Sequence, residues 1–539
     1  MHKYALGLDF GTESLRVVLM DLDTGEQFTT KSRYRWGVMD EYLKDKVQLP
    51  EDWALQDAED YLQAMGEAIP QVLKFADITS DSVVSIGIAF TACTVVPAKR
   101  DGTPISSLSG FTYEPHAYVK LWKHHGAKEE TRIINEIARA RNEPFLPYYS
   151  GQISVEWMLP KVFELLRNAP HIYEITDIFF DAGDWIVYQL TGKRTRSTCN
   201  AGYKGLWVAE LGFPQPEFLE ALDPRLRNLY ETKQITEVNP PGTLAGFLTH
   251  RGADITGLKP GTPVAVSMID AHAGAIGMGI SQPGIMGIIM GTSSCHMVLN
   301  DKPVIFDGYA GMVKDGILPG YWGYESGQSA TGDILAWFVS RFVKCDNPYT
   351  TMERLAMELK PGESHLIALD WWHGNRSVLM DAELTGLIVG LTLNTKPHDI
   401  YRALVESTAY GTRVIAEVHE NAGIMIDEIR VCGGLTKSEL LVKIYADVLN
   451  KPIKVYKGEP VATGALICGL VAAGKEWTGF DTFDKAIQAI VGAPDTIVIP
   501  DERAVKVYDK LYSMYRELYK MFGTQYDIMH GLRQIEVSS

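Results

Sequence analysis

The stretch Gly7 to Met20, GLDFGTESLRVVLM, decides the fold, because its pattern returns half a chain later as Gly287 to Asn300, GIIMGTSSCHMVLN. Aligned without gaps, the two share Gly7/Gly287, Gly11/Gly291, Thr12/Thr292, Ser14/Ser294, Val18/Val298 and Leu19/Leu299. Each copy runs from an apolar segment through a small polar turn into a second apolar segment. That is the pattern of a β-hairpin whose turn can present bare backbone amides to an anion. Two such hairpins facing one another make a phosphate clamp. A repeat spaced by half the chain marks two similar domains, and a cleft between domains is a favoured ligand site. The copies differ in one chemical respect: Asp9 of the first has the apolar Ile289 as its counterpart. One jaw alone therefore carries a carboxylate suited to a hydrated Mg²⁺.

Length and composition agree with this division. A chain of 539 residues exceeds what one core organises, which predicts two domains. With 46% hydrophobic and 22% charged residues it reads as a soluble globular protein. The net charge of −16, with no basic run, argues against nucleic acid and anionic membrane as partners, although a backbone cradle can still hold a nucleotide. Cys93, Cys199, Cys295, Cys345, Cys432 and Cys468 are scattered without a CxxC pair and read as reduced residues of a cytoplasmic protein. The N-terminus enters a strand interrupted by Asp9, unlike a signal peptide. The least polar stretch, Val461 to Gly474, is too short and glycine-rich to span a bilayer.

Apolar spacing predicts helices over 55–75, 115–123, 127–140, 156–168, 399–421 and 504–521. Val83 to Pro97, VVSIGIAFTACTVVP, predicts one buried strand; its small middle, Thr91 to Thr94, leaves room for a ligand or marks a kink. Asn200 to Lys204 reads as a small-residue loop whose lysine, taken alone, is solvated. The breakers Asn239 to Gly242 and Leu258 to Gly261 predict a boundary, giving segments 1–258, 259–500 and 501–539. From Val264, VAVSMIDAHAGAIGMG is a strand ending at Asp270 before a glycine- and alanine-rich helix, so Asp270 is either a base or ligand or a helix N-cap. Tyr324 to Ser329 reads as a polar loop opening a helix. Ile429 to Gly434 is a strand running into a glycine pair that lets backbone pass close to a flat ligand or phosphate.

Together these residues resemble the FGGY family of carbohydrate kinases, within the actin-like ATPases, from Leu6 to about Gly474. DFGTES at Asp9 to Ser14 is similar to the family's first phosphate motif, GTSS at Gly291 to Ser294 to its second, and Val431 to Ile453 to its adenosine motif. FTACT (90–94), LWKHH (121–125), SVEW (154–157), AGYKGLW (201–207), MGTSSCHM (290–297), ESGQSATGD (325–333) and LDWWHGNR (369–376) narrow the likeness to members that phosphorylate L-ribulose in arabinose catabolism. The resemblance implies an α/β fold of two actin-like (ribonuclease H-like) ATPase domains with an interdomain catalytic cleft. It implies ATP as donor, Mg²⁺ as cofactor and the terminal hydroxyl of a ketopentose as acceptor.

The same resemblance implies roles for particular residues. Asp270 becomes the catalytic base, and Ala92, Lys204, Asp270 and Glu325 line the sugar pocket. Asp9 holds Mg²⁺ through water. Gly11, Thr12, Gly291, Thr292 and Ser293 touch phosphates, and Gly433, Gly434 and Ser438 lie against the adenosine; a homodimer is left open. One position departs. Similar kinases of L-ribulose tend to carry an acidic residue before FT-x-C-T, and here it is Ala89. That keeps another ketopentose or a pentitol in play: D-ribulose, xylulose or ribitol. Two rival classes remain: an actin-like ATPase switch, for which no long partner-binding extension is seen, and an inactive sugar-binding homologue, hinted at only by Ala89.

Overall fold

The structure is a computed structural model and describes residues 2–535. The first hairpin is β1 (Tyr4–Phe10) and β2 (Ser14–Asp21), extended by β3 (Gln27–Arg33). Helix α1 (Ala58–Phe75) follows, then β4 (Val83–Phe90), which runs parallel to β1. A short helix, α2 (Thr198–Lys204), precedes β5 (Leu244–Phe247), β6 (Pro263–Ala265) and β7 (Met268–Ile269). Helix α3 (Asp270–Gly277) leads to the second half.

That half contains β8 (Gly284–Met290), β9 (Ser294–Asn300), β10 (Gly311–Lys314), β11 (Trp322–Gln328) and the long helix α4 (Pro397–Asn421). It continues with β12 (Ile426–Cys432), α5 (Glu439–Leu449), β13 (Ile453–Val455), α6 (Pro460–Ala473), β14 (Thr496–Val498) and α7 (Glu502–Lys520). The first sheet has the order β5-β6-β4-β1-β2-β3, with β7 also on β4; the second runs β10-β11-β9-β8-β12-β13-β14. In both sheets the hairpin is antiparallel, and its first strand has a parallel partner on the other side. This duplicated sheet is what the repeat predicts, and it agrees with the two actin-like domains that the resemblance implies.

Strand alternation sorts the hairpin residues onto two faces. Leu6, Leu8 and Phe10 with Leu15, Val17 and Leu19 join Tyr61, Met65 and Ile69 of α1 in one core. Helix α1 starts from Asp57, whose side chain accepts a hydrogen bond from Glu59 N–H. Ala5, Val18 and Met20 on the other face pack against Ala462, Leu466 and Leu470 of α6. The chain's least polar stretch is thus a helix buried all round, lying on the first sheet although it comes late in the sequence. Glycine permits the approach: a Cβ on Gly7 would lie 2.0 Å from the Ala462 carbonyl oxygen. Helix α6 meets α3 as closely, a Cβ on Gly464 falling 1.7 Å from Ala273 O. Among the described residues, no helix is long and apolar enough to cross a membrane.

Several expectations are corrected. The first sheet runs past residue 258: β6 pairs with both β5 and β4, and β7 also joins β4. The proline-glycine breakers turn the chain at a sheet edge rather than link two domains, and the second sheet begins only at Gly284. Helix α7 is no separate tail, since Tyr508, Tyr512, Tyr515 and Tyr519 enter the core of the second sheet. The segment 83–97 is two strands, Val83–Phe90 and Val95–Ala98, turned at Thr91 to Thr94 with Cys93 at φ 55°. The expected helix at 115–123 is one 3₁₀ turn, Pro115–Ala117, followed by the strand Val119–Lys120. There Lys120 is drawn inward by Glu164, 3.0 Å away, so local helical spacing loses to a buried ion pair.

Candidate active site

Both hairpin turns are pinned from behind. Gly11 N–H donates to Ser14 O at 3.0 Å, while the Thr12 carbonyl accepts from Gln56 Nε2 at 2.7 Å and its hydroxyl from Trp122 Nε1 at 3.1 Å. In the second turn Gly291 N–H donates to Ser293 O at 2.9 Å, and Thr292 O accepts from Thr331 N–H at 2.8 Å. Gly433 follows β12 with φ 102°, and a Cβ there would lie 2.4 Å from Met290 O, directly before Gly291. Only glycine fits. Gly434 has open space where a side chain would be. Ser438 caps α5, its Oγ accepting from Leu441 N–H at 3.1 Å, so local geometry accounts for its hydroxyl.

Asp9 and Ile289 both point to the faces where α3 and α6 lie, as pairing of the two hairpins requires. Ile289 packs near Gly274 and Val461, whereas Asp9 is buried beside Arg16, with Nη1 to Oδ2 at 3.3 Å. Burial pushes the Asp9 carboxyl up to about 6, Arg16 pulls it down and Glu459 adds to the rise. Asp270, the first residue of α3, accepts from its neighbour Ala271 N–H at 2.7 Å and stays partly exposed. Enclosure by protein, then the charge of Asp9, push its carboxyl up to about 7. The structure thus brings Asp9 and Asp270 within each other's field. Hard carboxylate oxygens with raised pKa values suit a divalent cation, whose charge would relieve the rise.

Lys204 is neither in a loop nor solvated. It ends α2, a helix opened by Ser197 Oγ accepting from Asn200 N–H, and its Nζ lies 2.8 Å from both carboxylate oxygens of Glu325. Glu325 is not in a loop either: it sits within β11, opposite Met297 of β9 and Gly311 of β10, so ladders on both sides fix its backbone. Arg376 Nη2 reaches Glu325 Oε1 at 2.8 Å, and His272 Nε2 lies 3.5 Å from Oε2. Burial alone would raise the Glu325 carboxyl, but Lys204 and Arg376 outweigh it and hold it at about 2. Burial lowers Lys204, yet Glu325 more than restores it, and it lies above its usual value. His272, pushed down to about 3 by burial, is neutral.

Glu156 completes the cluster. Burial would raise it, but a 3.4 Å contact with His125 and the charge of Arg376 bring it to about 2. Two carboxylates and two cations leave the wall neutral in sum, which suits a neutral ligand rich in hydroxyls. Ala92 lies in the turn between the two short strands, its carbonyl accepting from Thr94 Oγ1 at 3.1 Å. The fully buried Lys161 ties the same turn to its surroundings, donating to Cys93 O at 2.6 Å and Leu121 O at 2.7 Å. Ala89 is fully buried, opposite Asp9 in parallel register and in one cluster with Tyr203, Ala271 and Ala92. A carboxylate there would stand beside Asp9.

Arg376, Glu156, His125 and Lys161 were not singled out from sequence. The first three lie inside LDWWHGNR, SVEW and LWKHH, and a charge embedded in an otherwise apolar motif was the available signal. Lys161 gave none beyond sitting among the buried positions of the helix Met158–Asn168.

Sequence comparison agrees with the geometry. A sequence model of the N-terminal domain of the FGGY family of carbohydrate kinases matches residues 4–277, and that of the C-terminal domain matches 286–473. The chain is 45% identical to a ribulokinase of Geobacillus thermodenitrificans, the match covering 98% of this chain and 97% of that one. It is likewise 45% identical to a ribulokinase of Anoxybacillus flavithermus, over the same shares. The crystal structure of xylulose kinase from Rhodospirillum rubrum superposes with a TM-score of 0.78 at 20% identity, covering 98% of this chain and 100% of that one, which supports the fold. The chain belongs to the FGGY family of carbohydrate kinases and is an ATP-dependent sugar kinase.

Proposed function

We propose that this chain transfers the γ-phosphoryl group of ATP to the terminal hydroxyl of a ketopentose, with L-ribulose as acceptor and L-ribulose 5-phosphate as product. The observation that carries the reading is the buried Lys204–Glu325–Arg376 group, a charge-balanced wall of hydrogen-bonding atoms close enough to Asp270 for their fields to reach it. The near-full-length likeness to proteins named ribulokinase supports the choice of pentulose.

Phosphoryl transfer needs positioning and charge stabilisation more than covalent help from the protein. With the Gly11 and Gly291 N–H groups spent inside their turns, the amides that follow them, at Thr12 and at Thr292–Ser293, receive the phosphates, and Gly433 and Gly434 let the adenosine lie against backbone. Asp9 would hold Mg²⁺, which when bound would supply positive charge to the phosphates. Lys204 donates and Glu325 accepts hydrogen bonds from sugar hydroxyls, and Ala92 bounds the pocket without crowding it. Asp270 takes the proton of the attacking hydroxyl; a carboxyl near 7 is partly ionised at neutral pH and poised for this transfer. Cleft closure excludes water and limits idle ATP hydrolysis. Because Ala89 stands opposite Asp9 and packs in one cluster with Ala92 and Tyr203, its departure bears on the metal side and on the acceptor side alike.

A coupled kinase assay across L-ribulose, D-ribulose, D-xylulose, L-xylulose and ribitol tests this. The highest kcat/KM is expected with L-ribulose. A higher value with any other acceptor reassigns the substrate, and ATP hydrolysis without phosphorylation of any of them defeats the kinase reading.

A further inference from the structure

The edge of the first sheet lines up cations on the face turned toward the second half of the molecule. Asp9 stands opposite Arg16, Arg16 opposite Lys31, and Ser14 opposite Arg33, so these side chains share one face. It is the face on which Ala5 and Val18 meet α6. Arg16 is engaged by Asp9 and by Glu459, 3.7 Å away. Lys31 and Arg33 are exposed, and among the described residues neither forms an ion pair.

These three cations, with Thr12 of the phosphate turn, line a cavity of about 730 Å³ in which Glu13 is the only acid. A second cavity, of about 600 Å³, mixes its charges: Asp40, Glu41, Glu51 and Asp52 line it together with Lys123, His125 and His373. The chain as a whole carries −16 and repels a highly charged anion at a distance. A local positive strip next to the turn reverses that field where the anion must enter.

We propose that Arg16, Lys31 and Arg33 form an outer docking site for the polyphosphate tail of the incoming nucleotide, which then moves on to the Gly11–Thr12 and Gly291–Ser293 turns. The inference rests on the reading of those turns as the phosphate cradle. Its signature is kinetic. Long-range attraction speeds encounter, is screened by salt, and leaves dissociation from the inner cradle nearly untouched.

Stopped-flow binding of a fluorescent ATP analogue to the full-length protein tests the proposal. The double variant Lys31→Glu/Arg33→Glu, changed only at exposed positions, is expected to lower the association rate about tenfold at low ionic strength. The deficit shrinks to within about twofold near 0.5 M salt, where screening acts over only a few ångströms. The dissociation rate and the KM for the sugar are expected to stay near parental values. An association rate and salt dependence equal to the parent's would overturn the docking site, and so would a loss carried by dissociation or by sugar KM. Thr292→Val in the same assay reports on the cradle alone: faster dissociation upholds it, and unchanged dissociation removes the inner site while the Lys31/Arg33 result stays legible.

Discussion

Replacing Asp270 by Asn separates what this carboxylate costs the fold from what it does in the cleft. In the unfolded chain it titrates near 3.8 and in the folded protein at about 7. Between those values the unfolded state has lost a proton that the native state keeps, so stability falls as pH rises toward 7 and stays low above it. About three units at 1.36 kcal/mol each set an upper bound of about 4 kcal/mol at pH 8. The amide must also be desolvated, which takes back about half and leaves a gain of about 2 kcal/mol for the variant. Asn retains an oxygen for Ala271 N–H, so the start of α3 is undisturbed. At about 2.1 cal/mol/K per residue over 539 residues, 1 kcal/mol is worth about 1 °C, so the variant is expected to melt about 2 °C higher at pH 8, with the gain shrinking toward pH 4. Turnover is expected to fall by about 10²- to 10⁴-fold. In the parent, kcat/KM rises with pH through about 7; in the variant that limb disappears. Thermal melts at pH 5 and pH 8, with a coupled assay over the same range, check both halves. Turnover within tenfold of the parent refutes the base, and a melting shift independent of pH refutes the buried-charge account.

Asp9→Asn is expected to raise the Mg²⁺ concentration for half-maximal activity about tenfold or more, read by metal titration at saturating ATP; an unchanged requirement removes Asp9 from the metal role. Because burial pushes this carboxyl to about 6, the parent should bind metal more weakly as pH falls below that value, and the variant should not share the trend. Glu325→Gln leaves Lys204 buried, and the partly exposed Arg376 beside it, without their shared counter-charge, and a loss of about 3 kcal/mol in denaturant unfolding is expected. Sugar KM should rise while ATP KM holds. Lys204→Met added to Glu325→Gln should cost much less than the sum of the two single changes, and strict additivity in this cycle would show that the pair is not coupled.

The hairpins were legible because their information is local: a period of two, a small turn and a repeat that names its own partner. The gapless alignment of the two copies makes Ile289 the counterpart of Asp9, and the strand registers put the two on corresponding faces. Lys204 and Glu325 were legible only through resemblance. Their local signals point the wrong way, since Asn-Ala-Gly-Tyr-Lys has loop composition and Glu-Ser-Gly-Gln is too polar for a central strand. What overrides composition is tertiary pairing: Lys204 meets a carboxylate 121 residues away, and Gln328 donates to Asp370 at 2.8 Å and Thr408 O at 2.9 Å. A fully buried strand can carry such residues where their polar atoms are met, as they are at Glu325 and Gln328. The domain boundary failed for a related reason, because a proline-glycine pair marks a turn and cannot say whether the next strand returns to the same sheet.

The near-symmetry of the two halves also explains why the chemistry is one-sided. On the second sheet the position equivalent to Asp9 is Ile289, packed by Gly274 of α3 and Val461 of α6. A carboxylate there would stand opposite Cys295, which offers no counter-charge. On the first sheet the equivalent Asp9 is buried, but it stands opposite Arg16, whose charge balances it. Acids therefore collect on one wall, while backbone amides are available on both. The two walls are held by α3 and α6, which touch through backbone at Gly277 and Gly464, where an added Cβ would fall within 1.8 Å of a carbonyl oxygen. The close approach leaves no room for a side chain, so the glycines of α3 and α6, like Gly433 beside the second turn, are required by backbone packed on backbone, and there they hold the two walls together.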